Sequence, residues 1–129
     1  ALEEGCSRDE LMSQIVAGAG NTLGLENIFF ALFSPDRQRL FVKYVTAAQG
    51  GAAAGEEISL QDLPVDVLAP EASRVATYNG NRLIVSVRLS NKPVGVFFGS
   101  VPNGQTPDAE QVMGFRQFSQ QLGLALSRQ

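Results

Sequence analysis

The sequence predicts an α+β domain: a central antiparallel sheet of five or six strands with the N- and C-terminal helices packed together on one face. Three observations lead to this prediction. Segments with helical spacing of apolar residues stand at both ends of the chain, and two strand–turn–strand patterns lie between them. Each hairpin also contains a pair of aromatic residues, Phe29-Phe30 and Phe97-Phe98, which indicates that the central strands are covered on both faces.

The N-terminal part predicts a helix followed by a hairpin. Ser7 and Glu10 form an S-x-x-E capping box, and the apolar residues after it predict a helix over residues 8–23. Residues 27–34 carry apolar side chains on both alternating faces, as in a buried strand, and residues 40–46 return as its partner. The first sheet element is therefore expected to be antiparallel.

The second hairpin is better defined in the sequence than the segment before it. Residues 48–80 show little periodicity beyond a short strand at 58–60 and a helical turn at 64–68. Residues 83–89 and 94–100 then alternate as two strands. A glycine inside the second of them, Gly95, indicates that a helix or neighbouring element packs closely on the backbone there.

The last helix is expected to begin with Thr106 as its N-cap and Pro107 at its first position. A broad apolar stripe follows, made of Val112, Phe115, Phe118, Leu122, Ala125 and Leu126. Three of these, Phe115, Phe118 and Leu122, are predicted to form the core with Leu11 and Ile15. Met113 and Leu124 widen the apolar surface beyond one stripe, more than one sheet contact needs. We therefore expect either a homodimer through the terminal helices or a loop over the excess.

Composition excludes several classes of function. The chain has no histidine and one cysteine, Cys6, so the commonest general base and metal ligand are missing and no internal disulfide can form. We expect no catalytic residues, no metal and no cofactor. A net charge of −3 argues against a nucleic-acid partner, and no apolar run reaches the roughly 20 residues of a membrane span. The expected setting is the cytoplasm, with residues 1–129 as a single domain of a longer chain whose other domains are its partners.

Five polar residues are the candidates for binding a small molecule: Tyr44, Arg74, Tyr78, Ser86 and Arg88. Those on strands share a sheet with apolar walls, and ligand pockets combine a few polar groups with an apolar lining. An arginine there would favour an anionic ligand. The alternative is that Arg74 and Arg88 simply reach solvent along their stems.

The hairpin of residues 83–98, LIVSVRLSNKPVGVFF, resembles the late hairpin of GAF domains, and residues 34–40, SPDRQRL, resemble the turn of their first hairpin. The two terminal helices also fall where that family has them. The resemblance implies a profilin-like sheet, terminal helices that often dimerise, and a small-molecule pocket between the opposite face and the intervening loops. It also implies a setting in bacterial signalling proteins, among them proteins of the HDOD type.

The chain departs from the family's known ligand classes. Asn91-Lys92 is followed by Pro93-Val94 instead of the rest of the N-K-x-F-D-E motif of cyclic-nucleotide binders, and Cys6 precedes the first helix, unlike a bilin-binding cysteine. The prediction is therefore a non-catalytic sensory or regulatory module that binds an undefined small-molecule effector. The alternative is a structural dimerisation domain whose pocket is filled by its own side chains.

Overall fold

Six strands form one antiparallel sheet within the described part of the chain. The structure is a computed structural model that describes residues 8–36, 39–45, 55–59, 75–78, 80–89 and 92–127. Its elements are helix α1 (Arg8–Leu23), strands β1 (Glu26–Phe33), β2 (Leu40–Val45), β3 (Glu57–Ile58), β4 (Ala76–Tyr78), β5 (Arg82–Leu89) and β6 (Lys92–Ser100), a 3-10 turn (Pro102–Gly104) and helix α2 (Ala109–Ser127). The predicted fold class and number of strands are confirmed.

The two predicted hairpins meet at the centre of the sheet. The strand order is β3-β2-β1-β6-β5-β4, so β1 of the first hairpin pairs with β6 of the second, and all neighbours are antiparallel. In this register Phe29 lies opposite Phe98 and Phe30 lies opposite Phe97. The rings of Phe29 and Phe98 stack at 4.5 Å between centroids. Because successive side chains point to opposite faces, one aromatic pair lies on each face of the sheet.

Both helices pack on the face that carries Phe30 and Phe97. The ring of Phe115 from α2 stacks on Phe97 at 4.4 Å, with 9° between the ring planes. The buried residues of this core are Met12, Ile15, Val16, Ala19, Leu25, Ile28, Phe30, Tyr44, Leu83, Val85, Val87, Phe97, Val101, Phe115, Leu122 and Ala125. The structure thus confirms Ile15, Phe115 and Leu122 as core residues, whereas Leu11 and Phe118 are half-buried at its margin.

The opposite face of the sheet carries a second, smaller apolar cluster. It consists of Ala31, Leu40, Ile84, Val96 and Phe98, with Phe29, Phe33 and Ile58 packed against it. Ile84 and Val96 are fully buried, so this face is covered as the paired aromatics predict. Residues 46–54 and 60–74, which include the predicted helical turn at 64–68, lie outside the described residues.

Helix α2 begins two residues later than the sequence predicts. Asp108, and not Thr106, is the N-cap: its Oδ1 accepts a hydrogen bond from the Gln111 backbone N–H at 2.8 Å, and Gln111 Oε1 accepts one from the Asp108 N–H at 3.0 Å. The Gln111 amide also donates to the Leu23 carbonyl at 3.1 Å and so joins the first turn of α2 to the end of α1. The reciprocal cap between Asp108 and Gln111 thus starts the helix at Ala109, and the Leu23 contact holds its first turn against α1.

Two other points concern the ends of the chain. Ser7, half of the predicted capping box of α1, lies outside the described residues. Within the described residues, neither helix has the length and apolar character needed to cross a membrane.

Candidate functional site

A groove of about 420 Å³ lies between the second half of β5 and helix α2. Its described lining residues are Val85, Ser86, Val87, Arg88 and Leu89 from β5, and Arg116, Ser119, Gln120, Gly123, Leu124 and Ser127 from α2. The volume falls within the range of about 300–1,000 Å³ that is usual for small-molecule sites. The groove is therefore large enough for a metabolite.

The strand wall of the groove lies beyond the described pairing of β5 with β4. Within the described residues, β4 pairs with β5 from Arg82 to Ile84, and the five residues of β5 that follow line the groove. Helix α2 approaches β5 in this region at Gly123, where a Cβ atom would lie 3.0 Å from the Arg88 carbonyl oxygen. A glycine at this position lets the helix pack directly on the backbone of the strand, and the groove lies beside that contact.

The α2 wall of the groove is one face of the helix. Its residues recur every three or four positions, which places them on the same side. The hydroxyl of Ser119 donates to the Arg116 carbonyl at 2.6 Å, and that of Ser127 donates to the Leu124 carbonyl at 2.7 Å. Because both hydroxyl protons are used within the helix, this wall offers a ligand mainly the apolar surface of Leu124, the Gln120 amide and the Arg116 guanidinium.

The charge of the groove differs from that of the chain. Arg88 and Arg116 are the charged residues among the described lining, which contains no aspartate or glutamate, while the chain as a whole carries −3. Arg88 is half-buried and Arg116 is exposed. Ser86 is 7% exposed, and its Oγ has no hydrogen-bond partner within the described residues. Because Ser86 pairs with Val96 of the opposite-face cluster, its side chain points away from α2.

Two of the five residues predicted from the sequence line this groove, namely Ser86 and Arg88. Tyr44 lies in the core between the sheet and the helices, with its ring parallel to Phe30 at 6.3 Å between centroids. Three strand spacings separate β2 from β5, so Tyr44 is roughly 14 Å from the groove strand. The other two residues are less defined: Tyr78 ends β4 and pairs with Arg82, and Arg74 lies outside the described residues.

The α2 side of the groove was missed by the sequence analysis. A signal for it exists in the composition of the helix: from Ala109 to Ser127 the only charged residues are Glu110 and Arg116. Two large apolar side chains of this helix, Met113 and Leu124, are 64% and 66% exposed. A helix surface with few charges and exposed apolar side chains is typical of a contact surface.

No protein-family model and no curated protein sequence matches the chain. Solved structures do resemble it. The GAF domain of the Acinetobacter phosphoenolpyruvate-protein phosphotransferase is 13% identical with a TM-score of 0.74, over 95% of this chain and 84% of that one. The second GAF domain of DevS from Mycobacterium smegmatis is 20% identical with a TM-score of 0.69, over 92% of both chains. The phycocyanobilin-bound GAF domain of a cyanobacterial phytochrome is 11% identical with a TM-score of 0.76, over 96% of this chain and 86% of that one.

Proposed function

Because this chain has the fold of GAF domains, we propose that it is a non-catalytic sensory or regulatory module of a bacterial signalling protein and binds a small molecule. The observation that carries the proposal is the groove of about 420 Å³ between β5 and α2, which combines apolar walls with a few polar groups. One of the similar domains holds a bilin, so the fold accommodates ligands. The complete lack of histidine supports a role without catalysis.

The proposal includes the setting of the module. We propose that residues 1–129 form one domain of a longer cytoplasmic chain, with an HDOD-type signalling protein as the first candidate, and that its other domains respond to the ligand. The low cysteine content supports a reducing compartment. Bilin binding is not part of the proposal, because the chain's one cysteine, Cys6, precedes α1 and lies outside the described residues.

Thermal unfolding in the presence of a metabolite panel tests the proposal. A ligand present at about 100 times its Kd stabilises the folded state by about 2.7 kcal/mol, which raises the melting temperature of a domain of this size by several degrees. Compounds that raise the melting temperature should also shift the backbone amide NMR signals of residues 85–89 and 116–127. We expect Leu124→Gln to lower the affinity for these compounds, because it removes an apolar wall of the groove.

A matched control exists on the same helix. Met113 is about as exposed as Leu124 but does not line the groove, so Met113→Gln should leave every hit unchanged. A panel that includes acids, bases and neutral compounds and produces no stabilisation would contradict the proposal. So would hits that bind Leu124→Gln and the parent equally well.

A second candidate function is homodimerisation through the terminal helices, and the exposed face of α2 favours it. Met113 and Leu124 are 11 positions apart, which is close to three helical turns, so both lie on one side of α2. Gln117 and Gln120 lie between them on that side and are uncharged, and Arg116 borders the same side. Two such faces brought together by a two-fold axis would bury both apolar side chains, with Arg116 at the rim of the contact.

Sedimentation across a concentration series measures this association. We expect the parent to shift from monomer to dimer as its concentration rises, and Met113→Glu to move that transition to higher concentration because it places a charge in the interface. Lys43→Glu, an exposed substitution on β2, is the control and should not move it. A parent that stays monomeric at every concentration, also when upstream residues of the longer chain are restored, would exclude the dimer.

A further inference from the structure

We infer that two copies of this chain associate through α2 in an antiparallel arrangement, in which Met113 of each copy packs on Leu124 of the other. The inference rests on the dimerisation candidate of the proposed function, to which it adds the orientation of the second copy and the contacts that set it. Two features carry it: the order of the exposed side chains along α2, and the position of the one glutamate of this helix, Glu110.

Six exposed residues of α2 lie along one line of the helix. They follow one another at alternating steps of three and four positions, which is the spacing of the contact line between two packed helices. The six are Glu110, Met113, Gln117, Gln120, Leu124 and Ser127. The four middle residues carry no charge, and the two apolar ones are 64% and 66% exposed. A second α2 laid along this line therefore covers both apolar side chains without desolvating a charge between them.

The line has the same spacing in both directions. Gln117 and Gln120 are equally distant from its midpoint, and so are Met113 and Leu124. A two-fold axis through the midpoint and perpendicular to the helix brings Met113 onto Leu124 of the other copy. It also brings Gln117 onto Gln120 of the other copy, and each contact occurs twice. In the alternative, a parallel pair, every residue of the line meets the same residue of the other copy.

Glu110 decides between the two arrangements. In a parallel pair the two Glu110 carboxylates meet on the contact line, where they lose water and repel each other. In the antiparallel pair each Glu110 lies beside Ser127 of the other copy. The two carboxylates are then separated by the length of helix from residue 110 to residue 127, roughly 25 Å. This separation exceeds the screening length of about 8 Å at physiological salt. The charge distribution therefore favours the antiparallel pair.

Arg116, the other charged residue of α2, lies on the flank of the line that borders β5. A perpendicular two-fold axis brings like flanks of the two helices together on one side of the dimer. Arg116 of each copy then lies roughly 3 Å along the axis from Gly123 of the other copy, which has no side chain to block it. The exposed guanidinium stays at the rim of the contact and reaches solvent. Both β5–α2 grooves consequently open on the same side of the dimer.

Disulfide cross-linking measures the orientation directly. In a Cys6→Ser background, Met113→Cys and Leu124→Cys are prepared separately and oxidised, alone or as a mixture, at a concentration where the parent is dimeric. A disulfide needs Cα atoms within about 7 Å of each other. In the antiparallel dimer two thiols at the same position lie roughly 16 Å apart along the helix. We therefore expect cross-linked dimers from the mixture and none from either variant alone, with the linked pair identified by mass spectrometry.

A charge placed at the end of the line gives an independent measurement. Ser127→Lys puts a cation beside Glu110 of the other copy, twice per antiparallel dimer, so the dissociation constant from sedimentation should fall by about three- to ten-fold. In a parallel dimer the same change brings two lysines together and raises the constant. Adding Glu110→Gln to Ser127→Lys should abolish the gain. Ser59→Lys, the same substitution at an exposed residue beside the far edge strand β3, is the control and should leave the constant unchanged.

The outcomes separate the orientation from dimerisation itself. Cross-linked dimers from Met113→Cys alone or Leu124→Cys alone would overturn the antiparallel arrangement and leave a dimer standing, and so would weaker association of Ser127→Lys. If the parent stays monomeric at every concentration, also with upstream residues restored, and the mixture yields no disulfide, the dimerisation candidate and this inference fail together.

Discussion

Replacing Gly95 with alanine is expected to destabilise the domain by about 3 kcal/mol. A Cβ atom at this position of β6 would overlap the Ala31 carbonyl oxygen and lie 2.7 Å from two carbons of the Phe30 ring. Both obstacles belong to the central strand β1, and Phe30 is fully buried, so neither moves without opening the core. Urea unfolding followed by circular dichroism measures the loss as a lower midpoint.

Gly18→Ala, the same substitution in α1, is the control and should stabilise the domain. A Cβ atom on Gly18 would meet Phe118 Cε1 at 3.6 Å, an ordinary contact distance. Alanine is a better helix former than glycine by up to about 1 kcal/mol, so Gly18→Ala should raise the midpoint. If Gly95→Ala unfolds at the parent midpoint, β6 can move away from β1 and the tight contact does not constrain the sheet.

Gly95 shows what the sequence could and could not predict. A glycine inside an alternating strand indicates that something approaches the backbone closely, and this was confirmed. The identity of the neighbour was not predictable, because Phe30 is far away in the sequence and reaches Gly95 through the pairing of β1 with β6. Local patterns define hairpins and helices, whereas the pairing of distant strands depends on the complete sheet.

The elements with long periodic patterns were predicted well. Helix α1 has the predicted bounds, Arg8–Leu23, and both hairpins are present with strand ends within two residues of the prediction. Strand β4, Ala76–Tyr78, was missed because three residues are too few for an alternating pattern. The start of α2 was misplaced because Thr106 and Asp108 are both suitable caps, and the choice depends on contacts of Gln111 with Asp108 and with the end of α1.

The candidate site was predictable only on its strand side. Ser86 and Arg88 were recognised as polar residues in an apolar strand, and both line the groove. Tyr44 was grouped with them, but the strand order puts β2 three strand spacings from β5, where Tyr44 packs in the core beside Phe30. Leu124 was recognised as excess apolar surface of the last helix but was assigned to a dimer, and Arg116 was not singled out, because a single helix pattern does not show which part of its outer surface faces a neighbouring strand.

Replacing Phe115 with alanine is expected to cost about 3–5 kcal/mol, the largest loss among the changes considered. The Phe115 ring is fully buried, stacks on Phe97 at 4.4 Å and lies over Gly99, where a Cβ atom would come within 2.9 Å of it. Removing the ring leaves a cavity between α2 and the middle of the sheet, and it also removes the stacking contact. Chemical denaturation should show a much lower midpoint.

Two further variants make this result specific. Met113→Ala, on the same helix but 64% exposed, should change the free energy of unfolding by less than about 0.5 kcal/mol, which controls for the effect of alanine on the helix. Phe115→Leu retains part of the buried volume, so its denaturation midpoint should fall between those of Phe115→Ala and Met113→Ala. This variant keeps the effect measurable if Phe115→Ala is too unstable to fold. Equal midpoints for Phe115→Ala and Met113→Ala would show that the Phe115 ring does not hold α2 on the sheet. The α2 wall of the groove would then have no fixed support, because Phe115 is the α2 residue whose ring stacks directly on a central strand of the described sheet.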